Sequence, residues 1–364
     1  MVNSGGIVVN NLWSLETHGD PLGKVRDFIA QIWLETGLAG MLVTMVEGNE
    51  VRTTPRFITN VDLLNGVNPF QPLMEINIAR LIPELLANHP DETIGVLLRP
   101  CEMRALIEMT KHLSFTIDRL LTISVDCLGT FPADEYKWRL ERIERSNPDQ
   151  GINVTKSSDE LASEALKFAR QGGIVPYRYR SACQVCISPE AIHADINIQI
   201  LGLPVRQQIL VVLNDPAIAS HFNILPLSDS EADSDLILQH ERIVSKKIEQ
   251  YQRTLERTNE GMGELLPENV DALIHQLESC GDCQTCMDVC PICSVDWPTR
   301  YSDGHYERSD VVRWLVSCAG CGMCEQACPS HLPLSAIFAH IRHQLDQEWE
   351  YFPGCSFDDP LPMI

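Results

Sequence analysis

Eight cysteines near the C-terminal end carry the clearest chemistry. Cys280-Gly-Asp-Cys283-Gln-Thr-Cys286-Met-Asp-Val-Cys290-Pro291 reads C-x2-C-x2-C-x3-C-P, and Cys318-Ala-Gly-Cys321-Gly-Met-Cys324-Glu-Gln-Ala-Cys328-Pro329 repeats it without a gap. Thiolates ligate iron–sulfur clusters, and this spacing is the bacterial ferredoxin run. Three thiolates on a tight loop wrap one face of a cubane. The fourth, before Pro, completes the other cluster. One cluster is therefore expected on Cys280, Cys283, Cys286 and Cys328, the other on Cys318, Cys321, Cys324 and Cys290. A pair of zinc sites is the competing reading, since C-x2-C pairs also bind zinc. Zinc has no use for the third Cys or the Cys-Pro.

Four more cysteines lie upstream. Cys101 in LLRPCEMRAL and Cys127 in ISVDCLGTF each follow an apolar run rich in Val, Ile and Leu. Side chains just past the carboxyl ends of parallel strands converge on one sheet edge, where ligands bind. Cys183 and Cys186 form a C-x2-C pair, SACQVCIS, expected on a loop. Together the four make a plausible tetrahedral set for a third [4Fe-4S] cluster. If Cys101 and Cys127 are only buried core thiols, the C-x2-C pair is left without a reason. Arg99 and Arg104 flank Cys101 and could place positive charge near a cluster, although ordinary ion pairs are the plainer expectation. His193 sits near the C-x2-C pair and is read as a loop residue. His305, His331, His340 and His343 surround the C-terminal motifs and are not assigned as ligands. Cys293 and Cys355 fall outside the three sets. Cys293 is expected to be a buried bystander rather than an alternative ligand.

These residues need a scaffold, and the pattern to about residue 225 is α/β. GMLVTMV (40–46), TIGVLL (93–98), LLTISVD (120–126) and QILVVL (208–213) read as buried strands. RDFIAQIWLETG, IARLIPELLANHP, CEMRALIEMTKHL and SDELASEALKFARQGG read as helices with Gly or Pro stops. Strand, helix and strand from 93 to 126 form the unit of a parallel sheet. A linker, ILPLSDSEADSDL (224–236), precedes a long amphipathic helix whose Val244, Ile248, Tyr251 and Leu255 form one stripe, expected to pack on the protein's own body. The fold class is thus an α/β N-terminal domain with a mostly parallel sheet and a mainly α-helical C-terminal dicluster ferredoxin domain. The boundaries are 1–225, a linker and helix at 226–265, the dicluster domain at 266–350 and a Pro-rich tail at 351–364.

Composition narrows the function. The formal charge is −22, which disfavours nucleic acid and anionic membranes as partners. No apolar run is long enough to span a membrane. The N-terminal stretch lacks the basic region of a signal peptide. Fourteen cysteines then point to metals in a reducing, cytoplasmic setting rather than to disulfides. No G-x-G-x-x-G after a strand, P-loop or nucleophile elbow is present.

RPCEMRAL, DCLGTF and CQVCISPEAIHADINI resemble the beta-subunit family of coenzyme F420-reducing hydrogenases and F420-dependent formate dehydrogenases. The resemblance covers roughly residues 25 to 215. It implies a [4Fe-4S] cluster on Cys101, Cys127, Cys183 and Cys186, with Pro100, Glu102, Ala194, Asp195 and Ile196 matching the surrounding motif. It also implies FAD beside that cluster and hydride exchange with F420. Three departures count against flavin. Leu22-Gly23-Lys24 stands where a Gly-Gly element is expected, with Ser4-Gly5-Gly6 too far upstream to replace it. Val67-Asn68-Pro69-Phe70-Gln71-Pro72 replaces Gly-Ser-Lys-Tyr, and Gln199 replaces a Gly.

The reading is an iron–sulfur electron-transfer subunit of a multisubunit redox complex. The resemblance points to a formate dehydrogenase or hydrogenase catalytic subunit on one side and a heterodisulfide-reductase-like flavoprotein on the other. The alternatives are an FAD-dependent F420 oxidoreductase subunit and a zinc-stabilised interaction protein.

Overall fold

A computed structural model describes residues 12–46, 51–112, 115–146, 153–174, 178–214, 230–231, 233–280 and 283–363. Ser4-Gly5-Gly6 and most of the 224–236 linker lie outside the described residues. The centre is an eight-stranded mixed sheet. In chain order the strands are β1 (Leu12–Glu16), β2 (Gly40–Val46), β3 (Thr53–Ile58), β4 (Ile94–Leu98), β5 (Leu120–Val125), β6 (Ile196–Gln199), β7 (Gln208–Leu213) and β8 (Ser230–Glu231). Their spatial order is β3-β2-β4-β5-β6-β7-β1-β8.

Strands β2, β4, β5 and β6 are parallel, with Ile94 opposite Leu120 and Ile123 opposite Ile196. The flanking pairs are antiparallel. The expected α/β fold is present, parallel at its centre. QILVVL forms β7 and runs antiparallel to β6. A strand buried on both faces loses the alternation that would reveal its direction.

Helix α1 (Pro21–Thr36) starts at Asp20, whose Oδ1 accepts from Gly23 N at 2.9 Å, and stops at the left-handed Gly37. Helix α2 (Ile82–Asn88) leads to β4, and α3 (Pro100–His112) crosses from β4 to β5. Helix α4 (Ala133–Ser146), which the strand-and-stop reading did not single out, packs beside α5 (Val154–Leu166). One helical turn, α6 (Ser181–Gln184), precedes β6. The amphipathic stretch forms α7 (Ser234–Met262), which buries Leu236, His240, Val244, Lys247 and Tyr251 against the protein's own body.

The C-terminal part is helical: α8 (Val270–Ser279), α9 (Thr285–Asp288), α10 (Arg308–Val316), α11 (Met323–Ala327) and α12 (Leu334–Trp349). Alternate residues of β2 and β4 feed opposite faces of the sheet. Met41, Val43 and Leu97 join α1, α5 and α7 in one core. Leu42, Ile94, Val96 and Leu98 join Met103, Leu106, Trp314 and Ile341 in a second core. The cysteine-rich helices therefore share a core with α3.

Candidate metal centres

All fourteen cysteines are free thiols. Cys290, Cys318, Cys321 and Cys324 line one small cavity, closed by Trp314 and Phe338. This is the crossed set expected from the spacing, with Cys290 supplied by the other motif. Cys290 is the convergence point. The Cys293 thiol and the Trp314 indole Nε1, at 3.3 Å, donate to its sulfur. The backbone N–H groups of Cys293 and Ile292 do the same, and these bonds hold the Cys290 thiol down at about 7 against burial. Donors aimed at sulfur are what a cluster thiolate takes. Cys293 is buried, and burial together with its bond to Cys290 pushes its own thiol far up. It is thus the donor on the Cys290 thiolate.

The partner set adjoins the Cys290 set through Cys286, which neighbours Cys290. Cys280 interacts electrostatically with Cys283 and Cys328, and Cys286 with Cys280, Cys283 and Cys290. Cys280 and Cys283 are exposed, whereas Cys328 is buried. Gly281 and Asp282, inside this loop, lie outside the described residues.

The upstream four are gathered by the sheet. Cys101 stands on the first turn of α3, past the carboxyl end of β4. Its turn is capped by Glu102, whose Oε2 accepts from Arg99 N at 2.8 Å. Cys127 lies just past β5, and Gly129 N donates to its sulfur at 3.3 Å. Cys183 rides on α6 rather than on a loop, beside the Thr130 hydroxyl at 3.3 Å, and Cys186 follows on the next loop. Burial pushes the Cys127 thiol up to about 12, and the nearby Cys183 and Cys186 sulfurs push the same way. Cys101 neighbours both Cys127 and Cys321, so this set borders the Cys290 set.

Asp126, one residue before Cys127, fixes that corner. Its Oδ1 accepts from Ala191 N at 2.9 Å, and its Oδ2 from Ile200 N at 2.8 Å and Leu201 N at 2.9 Å. His240 Nε2 of α7 lies 3.0 Å from Oδ2. The loop after Cys186, the end of β6 and the long helix thus meet at one buried carboxylate. No motif pointed to this residue, because its role depends on partners far along the chain.

Close packing joins the upstream set to the second motif. Gly322 has φ +70°, and a Cβ there would lie 2.3 Å from Ala182 Cβ. Only glycine lets loop 318–324 lie against α6. Asn77 Nδ2 is buried with no nitrogen or oxygen partner and faces the Cys321 sulfur, on which it acts as a donor. A cluster thiolate there would satisfy it. Of the flanking arginines, Arg99 does form the plain ion pair, with Glu102 at 3.6 Å. Arg104 does not. It reaches Ser188 O, Ala319 O and Cys186 Sγ. Arg180 also lies in this seam and was not picked out from the sequence, since an Arg in a loop carries no motif. Burial works against its charge, and the Cys183, Cys101 and Cys321 thiols hold it up. Burial lowers His193 to about 4, and it lines a cleft with Cys355 rather than meeting a thiol of the sets.

Among the described residues, no three His, Cys, Asp or Glu side chains close around a single metal-ion position. A mononuclear zinc site needs four ligands about 2.3 Å or less from one ion.

No protein-family model matches the chain. A curated F420-dependent formate dehydrogenase subunit beta of Methanocaldococcus jannaschii is 24% identical over 360 residues, which is 91% of each chain. The chain is thus similar along most of its length to F420-dependent formate dehydrogenase beta subunits. A second relative, F420-dependent formate dehydrogenase 1 subunit beta of Methanococcus maripaludis, is 24% identical over 90% of this chain and 89% of its own. A chain of the F420-reducing [NiFe] hydrogenase complex from Methanosarcina barkeri matches at 14% identity and a TM-score of 0.44, over 68% of this chain and 91% of that one. Among the described residues, no helix is long and apolar enough to cross a membrane.

Proposed function

We propose that the chain is an iron–sulfur relay subunit. Cys280, Cys283, Cys286 and Cys328 hold one [4Fe-4S] cluster, and Cys318, Cys321, Cys324 and Cys290 a second. Cys101, Cys127, Cys183 and Cys186 hold a third. The observation that carries this is the single cavity lined by Cys290, Cys318, Cys321 and Cys324, residues of both motifs. When bound, each cluster accepts and releases one electron. The protein's part is to keep neighbouring sets close, exclude water and aim hydrogen bonds at the sulfurs. No general acid, base or nucleophile is required.

A relay needs a donor and an acceptor. The relatives' names favour a formate dehydrogenase or hydrogenase catalytic subunit on one side. A heterodisulfide-reductase-like flavoprotein is the partner we assign to the other. Those names also favour a second reading, an FAD-dependent F420 oxidoreductase subunit fed by the same clusters.

Iron, acid-labile sulfide, zinc and flavin analysis of the anaerobically purified chain separates these readings. The relay predicts about twelve iron atoms per chain, four per cubane, without flavin. Stoichiometric FAD with F420 reduction would establish the second reading instead. Zinc without sulfide would overturn both.

A further inference from the structure

Two buried cations lack counter-charges. Arg104 and Arg180 are 5% and 8% exposed. Among the described residues neither has a carboxylate at ion-pair distance. Arg104 meets Ser188 O at 2.9 Å, Ala319 O at 3.4 Å and Cys186 Sγ at 3.8 Å. Arg180 meets the Thr130 hydroxyl at 2.8 Å, Gln326 Oε1 at 3.0 Å, Cys321 O at 3.2 Å, Met74 Sδ at 3.4 Å and Cys183 Sγ at 4.0 Å. Other buried or half-buried bases nearby do have acids: Arg99 has Glu102, Lys111 has Glu108 and Arg342 has Asp346.

The two guanidiniums share one geometry. Each runs from a thiol of the Cys183/Cys186 pair to a backbone carbonyl of loop 318–324. They come from different elements, α3 and the residue before α6. Lys247 of α7, also buried, faces Cys186 and Cys127, which oppose the lowering that burial imposes on its ammonium. A buried charge without a partner is costly, so an anion is needed in this seam. Four thiolates around a cubane leave a dianion, and one added electron makes it a trianion.

We propose that Arg104 and Arg180 are the built-in counter-charges of the cluster on Cys101, Cys127, Cys183 and Cys186, raising its midpoint potential relative to an unscreened site. This rests on the third-cluster reading. Positive charge favours the reduced state because reduction adds negative charge. Arginine suits the task because it stays charged when buried and spreads its donors over a fork. The same fork grips the loop of the neighbouring set, so these two side chains tune the potential and hold the two sets together.

The test uses the full chain, purified anaerobically, with Arg104→Met, Arg180→Met and Arg180→Lys. EPR-monitored redox titration gives each midpoint, and the signal absent from Cys127→Ser identifies the third cluster. Each Met variant should shift that cluster's reduction equilibrium by about tenfold or more toward the oxidised form, about 59 mV for one electron. Arg180→Lys should restore most of the shift. Fully loaded Met variants with less than a twofold shift would overturn the proposal. If a Met variant loses only the third cluster's iron, restoration by Lys supports the charge requirement, and failure of Lys to restore overturns it. A wild-type chain with about eight iron atoms would remove the third cluster itself, and the inference with it.

Discussion

Asp126→Asn isolates the corner that sets Cys127. The wild-type carboxylate is buried and serves Ala191 N through Oδ1, Ile200 N and Leu201 N through Oδ2, and His240 Nε2 at 3.0 Å. Asparagine keeps the shape but offers one acceptor oxygen. Placed at the Oδ2 position it still serves Ile200 and Leu201, and its NH2 then faces the Ala191 N–H. One charge-assisted bond is lost and a buried donor is stranded, which costs about 1–3 kcal/mol. The ionic part of the His240 contact goes as well, bringing the total to about 3 kcal/mol. Asp126→Ala strands all three backbone donors and His240 and should cost about 5 kcal/mol or more. Urea unfolding gives the totals, and amide hydrogen exchange reports the site. In the Asn variant, protection at Ala191 should fall further than at Ile200 and Leu201. A loss below about 1 kcal/mol with Ala191 protection unchanged would refute the reasoning.

Three other outcomes follow from single contacts. Trp314→Phe removes the indole donor on Cys290 Sγ but keeps a ring against Phe338, 5.2 Å away. Stability should fall by about 1 kcal/mol, and redox titration should show one C-terminal midpoint lowered. Gly354 has φ +75°, and its Cβ would lie 2.4 Å from Arg104 Cγ. Gly354→Ala should therefore loosen the 351–363 segment from α3, at about 1–3 kcal/mol, seen as faster limited proteolysis there. Stability should fall as pH rises from about 4.5 to 7, and further above 6.5. Burial raises Glu190 from 4.5 to about 7, and His240 is held above 6.5 because Asp126 and Glu190 outweigh burial. In both cases the folded chain binds its proton more tightly. Their stabilisation is therefore full below the unfolded values and is lost as pH rises through the folded ones. Glu190→Gln should flatten the lower part of that fall, measured by urea midpoints across pH, and a rise in stability over the interval would contradict it.

What could be read from the sequence was what local pattern encodes. The strands at 40–46 and 208–213 have the expected bounds. Cys101 and Cys127 lie at adjacent strand ends because a β-α-β unit leaves no other arrangement. Other features needed distant partners. Strand β6 is only four residues and is defined by Val125 and Val211 on its neighbours. Strand β1 pairs with β7 across nearly two hundred residues. Arg180, Asp126 and Gly322 were invisible for the same reason: each acts on a segment far from it in the chain. Cys293 looked like a spare thiol because sequence shows spacing and not direction. Its S–H points at Cys290.

The arrangement of the sets constrains how the proposed relay could run. Cys286 of the first set neighbours Cys290 of the second, and Cys321 of the second neighbours Cys101 of the third. The second set therefore touches both of the others, which makes it the middle of the proposed relay line. Of the twelve thiols, only Cys280 and Cys283 are exposed. That end is the accessible terminus, where a redox partner could approach without rearrangement. The third set lies under α6 and α7, held at Asp126 and faced by buried cations. An electron entering at Cys280 would move from an exposed set towards the most positively compensated one. Blocking the middle set alone, with Cys324→Ser, should then separate the ends: the first set would remain reducible by an external protein donor, and the third would become slow to reduce. Stopped-flow absorbance of the chain against a reduced ferredoxin distinguishes this from direct access. Unchanged rates for all remaining clusters would show that the third set has its own entrance and that the line is not the path.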